Sequence, residues 1–157
     1  MATQKLQVGR AFTTVMFSDN VDIPFPELSA SGNATGGTLT TLQDSTANFV
    51  QGQINPGDII YNMTTQDADI VVGINSPTEI KTAGYGGGYS AGQVYKIYAG
   101  QNNDGCVLYV GTGGDLIVET VGGDTVTLVN VNSGQFIPIQ VKKIKIGSTA
   151  ADILALW

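Results

Sequence analysis

The chain has 157 residues, of which 42% are hydrophobic and only 13% charged, with one cysteine, no histidine and a net charge of −6. Without histidine there is no Ser-His-Asp or Cys-His catalysis and no imidazole metal ligand, and one cysteine excludes an intrachain disulfide and a Cys-rich zinc site. Seven Lys+Arg against thirteen Asp+Glu argue against nucleic acid as a partner. No apolar run nears the ~20 residues of a membrane span, and MATQKLQVGR lacks the apolar core of a secretion signal. We expect no cofactor and no membrane partner.

Twenty-one glycines, with many Thr, Val, Ser and Asn residues, favour strands and turns. In chain order, residues 8–17 can form a strand. The segment Val21-Asp22-Ile23-Pro24-Phe25-Pro26 alternates, but its two prolines lack ladder donors, which suits an edge strand or an extended arm. Ser29-Ala30-Ser31-Gly32 reads as a linker. Short strands are predicted over 38–42, 59–63, 68–74, 79–82 and 93–98, with a turn at Asn55-Pro56-Gly57-Asp58, where Pro presets φ and Gly accepts positive φ. That rhythm predicts a small barrel or curled sheet. Asp44 to Phe49 offers one helical turn, and 150–154 another.

The last third is the clearest. Cys106 to Val110 is a continuous apolar run, read as a strand buried on both faces. Strands over 116–121 and 125–131 follow, punctuated by Gly113-Gly114-Asp115 and Gly122-Gly123-Asp124. In the long strand 136–146 the apolar positions are odd up to Val141 and even from Ile144. A one-residue slip would turn every side chain to the other face, so the sequence predicts a β-bulge at Lys142–Lys143. The apolar end, Asp152 to Trp157, predicts docking into a sheet or a neighbouring subunit. The chain is therefore expected to be all-β. A β-sandwich or jelly-roll-like attachment domain takes residues 1–32 and 100–157, and a small β-barrel-like module, residues 33–99, is inserted in it.

No catalytic constellation stands out, and no enzyme is expected. Gly84-Tyr85-Gly86-Gly87-Gly88-Tyr89 fails both the Walker and the dinucleotide pattern and reads as an exposed loop, with Tyr85 and Tyr89 available for contact. Asp67 and Asp69 alternate on a strand, with solvation as their simplest role, and Cys106 reads as a small buried hydrophobe. Lys142, Lys143 and Lys145 hold three of the seven cations and suit either an acidic neighbour or the guarding of a sheet edge.

Three strings carry a resemblance. The first is Cys106-Val107-Leu108-Tyr109-Val110-Gly111-Thr112-Gly113-Gly114-Asp115-Leu116. The second is Ser133-Gly134-Gln135-Phe136-Ile137-Pro138-Ile139. The third is Ser148-Thr149-Ala150-Ala151-Asp152-Ile153-Leu154-Ala155-Leu156-Trp157. Over this third the chain resembles small virion structural proteins of tailed bacteriophages, of the marine and cyanobacterial phage type, and the head-spike base proteins of phages and gene transfer agents. The middle stretch, with Pro56-Gly57-Asp58-Ile59-Ile60-Tyr61-Asn62, is similar to a module inserted in phage structural proteins. The resemblance implies a capsid decoration (cement) or head-vertex spike or fibre base protein at the particle surface. Its partners would be copies of itself, as trimer or pentamer, and the major capsid protein or other virion proteins. Candidate contacts are Phe17, Asp19, Asp22, Pro24, Phe25, Pro26, Lys142, Lys143, Lys145 and Trp157. The alternative is a carbohydrate- or host-surface-binding module on the particle exterior, with a head fibre or glycan held at Tyr85 and Tyr89.

Overall fold

The computed structural model describes residues 8–100 and 104–157. It is all-β, with two antiparallel sheets of six and seven strands and no helix among the described residues. The chain divides into two compact units: Met1–Val15 with Asp104–Trp157, and Met16–Asn103 between them. The middle unit is larger than the 33–99 expected. Residues 16–32 belong to it because Leu28–Asn33, read as a linker, is a strand that pairs within it.

In chain order the strands are β1 (Ala11–Phe12), β2 (Leu28–Asn33), β3 (Gly36–Thr38), β4 (Thr41–Gln43), β5 (Ile59–Asn62), β6 (Asp67–Ser76) and β7 (Glu79–Thr82). They continue with β8 (Val94–Tyr98), β9 (Cys106–Thr112), β10 (Gly114–Thr120), β11 (Thr125–Val131), β12 (Gln135–Ile144) and β13 (Ala151–Leu156).

The middle unit orders its strands β2-β8-β5-β6-β7-β4-β3. The two ends of that order, β2 and β3, are successive in the chain, separated only by Ala34 and Thr35. The sheet must therefore curl until its ends meet, which leaves it barrel-like. The long strand β6 serves both halves of the curl. Its first residues pair with β5 and its last with β7, with register shifts at Val71–Gly73 and Ile74–Ser76 that let it bend. Leu42, Phe49, Ile60, Val71, Ile80, Tyr95 and Ile97 fill the interior. The Asp44–Phe49 segment forms turns rather than a helix, and it delivers Phe49 to that core.

The other unit orders its strands β1-β13-β9-β12-β10-β11. β9 and β10 are joined through Gly113 alone, yet they do not pair. They splay, and β12 fills the gap, with Val141 opposite Cys106 on one side and Thr120 on the other. This sandwich-like corner buries Leu108 and Val110 of β9 and Leu116 and Val118 of β10. The alternate β9 residues Val107 and Tyr109 are only half-buried, so β9 has one fully buried face and not two. On β12, Lys143 faces Glu119 and Val141 faces Thr120, which leaves Lys142 as the extra residue. The bulge falls where the change of phase required it, and Ile137, Val141 and Ile144 all reach the core. The helical turn expected over 150–154 is replaced by β13, which begins at Ala151.

Candidate functional site

The apolar C-terminus finds its partners in its own chain. β13 lies between β9 and β1, and the Trp157 carbonyl accepts the Gly9 and Arg10 N–H groups while Arg10 returns its carbonyl to the Trp157 N–H at 2.9 Å. Trp157 is half-buried. Removal of 152–157 would therefore take a central strand out of the sheet.

The proline-containing segment is not an extended arm. Val21, Ile23 and Pro24 are buried, and Phe17, Asp22, Phe25 and Pro26 are half-buried, with Asp19 exposed. The Tyr61 hydroxyl accepts the Met16 N–H at 3.3 Å, and the Ser18 Oγ accepts the Asn20 and Val21 N–H groups. This segment is laid down on its own chain, because two prolines leave few donors to satisfy and its apolar side chains have a core to enter.

Lys143 and Lys145 are engaged within the chain. Lys143 Nζ lies 3.0 Å and Lys145 Nζ 2.9 Å from the two oxygens of Glu119. Hydrogen bonds from Lys145 and Lys143 hold the Glu119 carboxyl below its usual range. Beyond the bulge at Lys142, Lys143 and Lys145 both stand beside one carboxylate, a juxtaposition invisible without the pairing register.

The glycine loop is organised by the two aspartates. Asp69 is buried, and its carboxylate accepts the Gly84 and Tyr85 N–H groups, while Asp67 accepts the Gly87 N–H at 3.2 Å. Solvation is thus not the role of Asp69, which ties the loop down. Tyr85 is 53% exposed, but Tyr89 is buried at 6%, with its phenol pushed well above the ordinary range by burial and by the negative charges of Asp69 and Asp67. The two rings do not form an exposed platform. Nearby in the same unit, Glu27, Leu28, Gln53, Asn55 and Asp58 line an open cleft of about 330 Å³. Both Asp58 oxygens are already used there, by the Asn55 and Gly100 N–H groups.

Sequence reasoning missed one buried polar centre. Asp44 Oδ2 accepts the Tyr95 hydroxyl at 2.7 Å, and Oδ1 accepts the Thr46 N–H and hydroxyl. Burial raises the Asp44 carboxyl, but these hydrogen bonds outweigh it and leave it below its ordinary value. The signal in the sequence was Asp44-Ser45-Thr46, an Asx-turn pattern. Cys106 is buried with its thiol pushed up to about 12 by desolvation, which leaves it protonated and inert at neutral pH.

Apolar side chains are exposed in both units, in the middle one at Leu28, Leu39, Val50, Val72 and Val94. In the unit of β9–β13, Val121, Val126, Val129, Phe136 and Ile146 are all exposed. Phe136 stacks edge-on against Tyr109 at 5.1 Å, and Leu154 stands opposite Tyr109 on the other side, so an aromatic-aliphatic row crosses the outer face of three strands. β11 ends the sheet, and six of its seven residues are exposed or half-buried on both faces. Among the described residues no group of three or more Cys, Asp or Glu side chains is placed to hold a metal ion. No helix among them is long and apolar enough to cross a membrane. No protein-family model, curated protein or solved structure matches this chain.

Proposed function

We propose that this chain is a non-enzymatic structural protein of a bacteriophage particle, a capsid decoration or head-vertex spike or fibre base protein that works at the particle surface as a symmetric homo-oligomer. The observation that carries the reading is the exposed apolar set Val121, Val126, Val129, Phe136 and Ile146, on the unit that also holds the uncharged end strand β11, in a chain with only 13% charged residues. Apolar surface of this kind is covered when a protein works in an assembly. The sequence resemblance of the same third to virion proteins points in the same direction. The polar groups that could have formed a reactive centre, Asp44, Asp58, Asp67 and Asp69, are each spent on hydrogen bonds that hold a turn or loop. The partners are copies of the chain and the major capsid protein or other virion proteins.

The test is direct labelling. Gold-tagged antibody against the purified chain should decorate intact phage particles at regular positions on the head, and the chain should co-purify with them through a density gradient. A chain that stays in the soluble fraction of the lysate overturns the reading.

A further inference from the structure

β11 is an unguarded sheet edge. Natural sheets blunt their edges with short strands, charges, prolines or covering segments. The middle unit ends in β3, three residues long, and in β2, six residues that lead almost directly into β3. The opposite end of the β11 sheet is β1, only two residues long. β11 runs seven residues, Thr125-Val126-Thr127-Leu128-Val129-Asn130-Val131, with no charge and no proline, in a chain of net charge −6.

The register says which backbone groups face outward. The Thr120 N–H donates to the Asp124 carbonyl at the hairpin end, and Val118 then pairs with Val126 and Leu116 with Leu128. Hydrogen-bonded and non-bonded pairs alternate along an antiparallel ladder. Val126 and Leu128 therefore turn their N–H and C=O groups to β10, while Thr125, Thr127 and Val129 turn theirs outward. Beyond Val129, Asn130 takes φ 53, its N–H is bound by Asp115 Oδ1, and the strand is bent by a register shift. The usable edge is thus Thr125 to Val129.

That edge is self-complementary. We propose that two copies of this chain pair antiparallel through β11, across a two-fold axis at Thr127. Thr127 then faces its own counterpart and Thr125 faces Val129 of the partner subunit, so all outward groups are satisfied by about six backbone hydrogen bonds. Val126 and Leu128 lie on the same side of the sheet as the buried Val118 and Leu116, yet Val126 is 36% exposed. In the pair each meets the other across the axis, and the core face of one sheet continues into the next. The outer face gains β-branched cross-strand pairs, and no like charges stand opposite each other. A two-fold contact of identical strands is isologous and closes. It therefore joins chains in pairs, where the trimer or pentamer expected from the sequence would need a head-to-tail contact.

The inference deepens the homo-oligomer part of the proposed function. Its test uses the full chain in solution. Light scattering and sedimentation velocity across a dilution series should show a reversible dimer. Thr127→Lys or Val129→Lys, both on the exposed edge, should weaken association about tenfold or more while leaving the circular dichroism spectrum unchanged. The register is read by cysteine. Under mild oxidation Thr127→Cys should cross-link to itself. Thr125→Cys and Val129→Cys should cross-link when mixed, and far less when each is alone. A wild-type chain that stays monomeric at ~100 μM, or a dimer indifferent to both lysine variants, overturns the proposal. A monomer that still labels phage heads sinks this interface alone, whereas a dimer absent from particles sinks the particle assignment alone.

Discussion

The two sheets of this protein solve the same problem differently. In the middle unit the terminal strands β2 and β3 are neighbours in the chain, so the curl brings the two ends of the sheet together, with β2 paired to β8 and β3 to β4. In the unit of β9–β13 the terminal strands are far apart in sequence and unlike in length, and one end stays open at β11. Closure costs the middle unit its freedom of sequence. Gly32 of β2 sits where a Cβ would collide with the Tyr95 hydroxyl and the Asp44 carboxylate, so that position must stay glycine. The open sheet has the opposite economy. Its edge residues are unconstrained by internal packing, and they can be selected for a partner.

The comparison is broken most severely at the closure. Asp44→Ala leaves the Tyr95 hydroxyl and the Thr46 N–H without their acceptor in a buried site, and should destabilise the fold by ~3 kcal/mol, read as a fall in urea midpoint. The Asp44 carboxyl lies below its ordinary 3.8, so its contribution is present above that value and lost as pH falls through the lower folded value. The gap between wild type and variant should accordingly shrink below about pH 4. Gly32→Ala attacks the same junction by overpacking and should cost ~2 kcal/mol.

Smaller effects are expected in the open sheet. Glu119→Gln removes the shared carboxylate of Lys143 and Lys145, at a partly exposed site where such pairs contribute below about 1 kcal/mol. The Glu119 carboxyl is held below its usual 4.5, so the sign is the same: the variant's deficit is present at neutral pH and shrinks at acid pH, measured by thermal melts at pH 7 and pH 3. Val129→Lys, 64% exposed, should change monomer stability by no more than about 0.5 kcal/mol. Hydrogen exchange sharpens the contrast further. In dilute monomer the Thr125, Thr127 and Val129 amides should exchange quickly, while those of Val126 and Leu128 are protected. Uniform protection along β11 would show that its edge is already covered.

Much of the fold was legible because period-two patterning survives in strands that bury one face. β5 to β13 follow their apolar runs, and the bulge at Lys142 was readable from a change of phase alone. β2 was not legible. Ser29-Ala30-Ser31-Gly32 has the composition of a linker, and only its backbone pairing with β8 makes it a strand. The segment 17–26 looked like an arm because prolines deny it a ladder, but burial of Val21 and Ile23 is a tertiary fact. Candidate contacts fared likewise. Tyr85 and Tyr89 are equivalent in sequence, and the loop pinned by Asp67 and Asp69 buries one and exposes the other.

The sequence by itself determined the all-β class, some of the turns, such as Asn55-Pro56-Gly57-Asp58, and the absence of histidine chemistry, since composition and local alternation act through neighbours a few residues apart. Which strands end the sheets and which lysines share Glu119 were decided only by the tertiary structure. Those outcomes depend on pairings between residues tens of positions apart, and no local pattern encodes the order of strands across a sheet. The low charge with which the chain began acquires its meaning there, on the uncharged edge of β11.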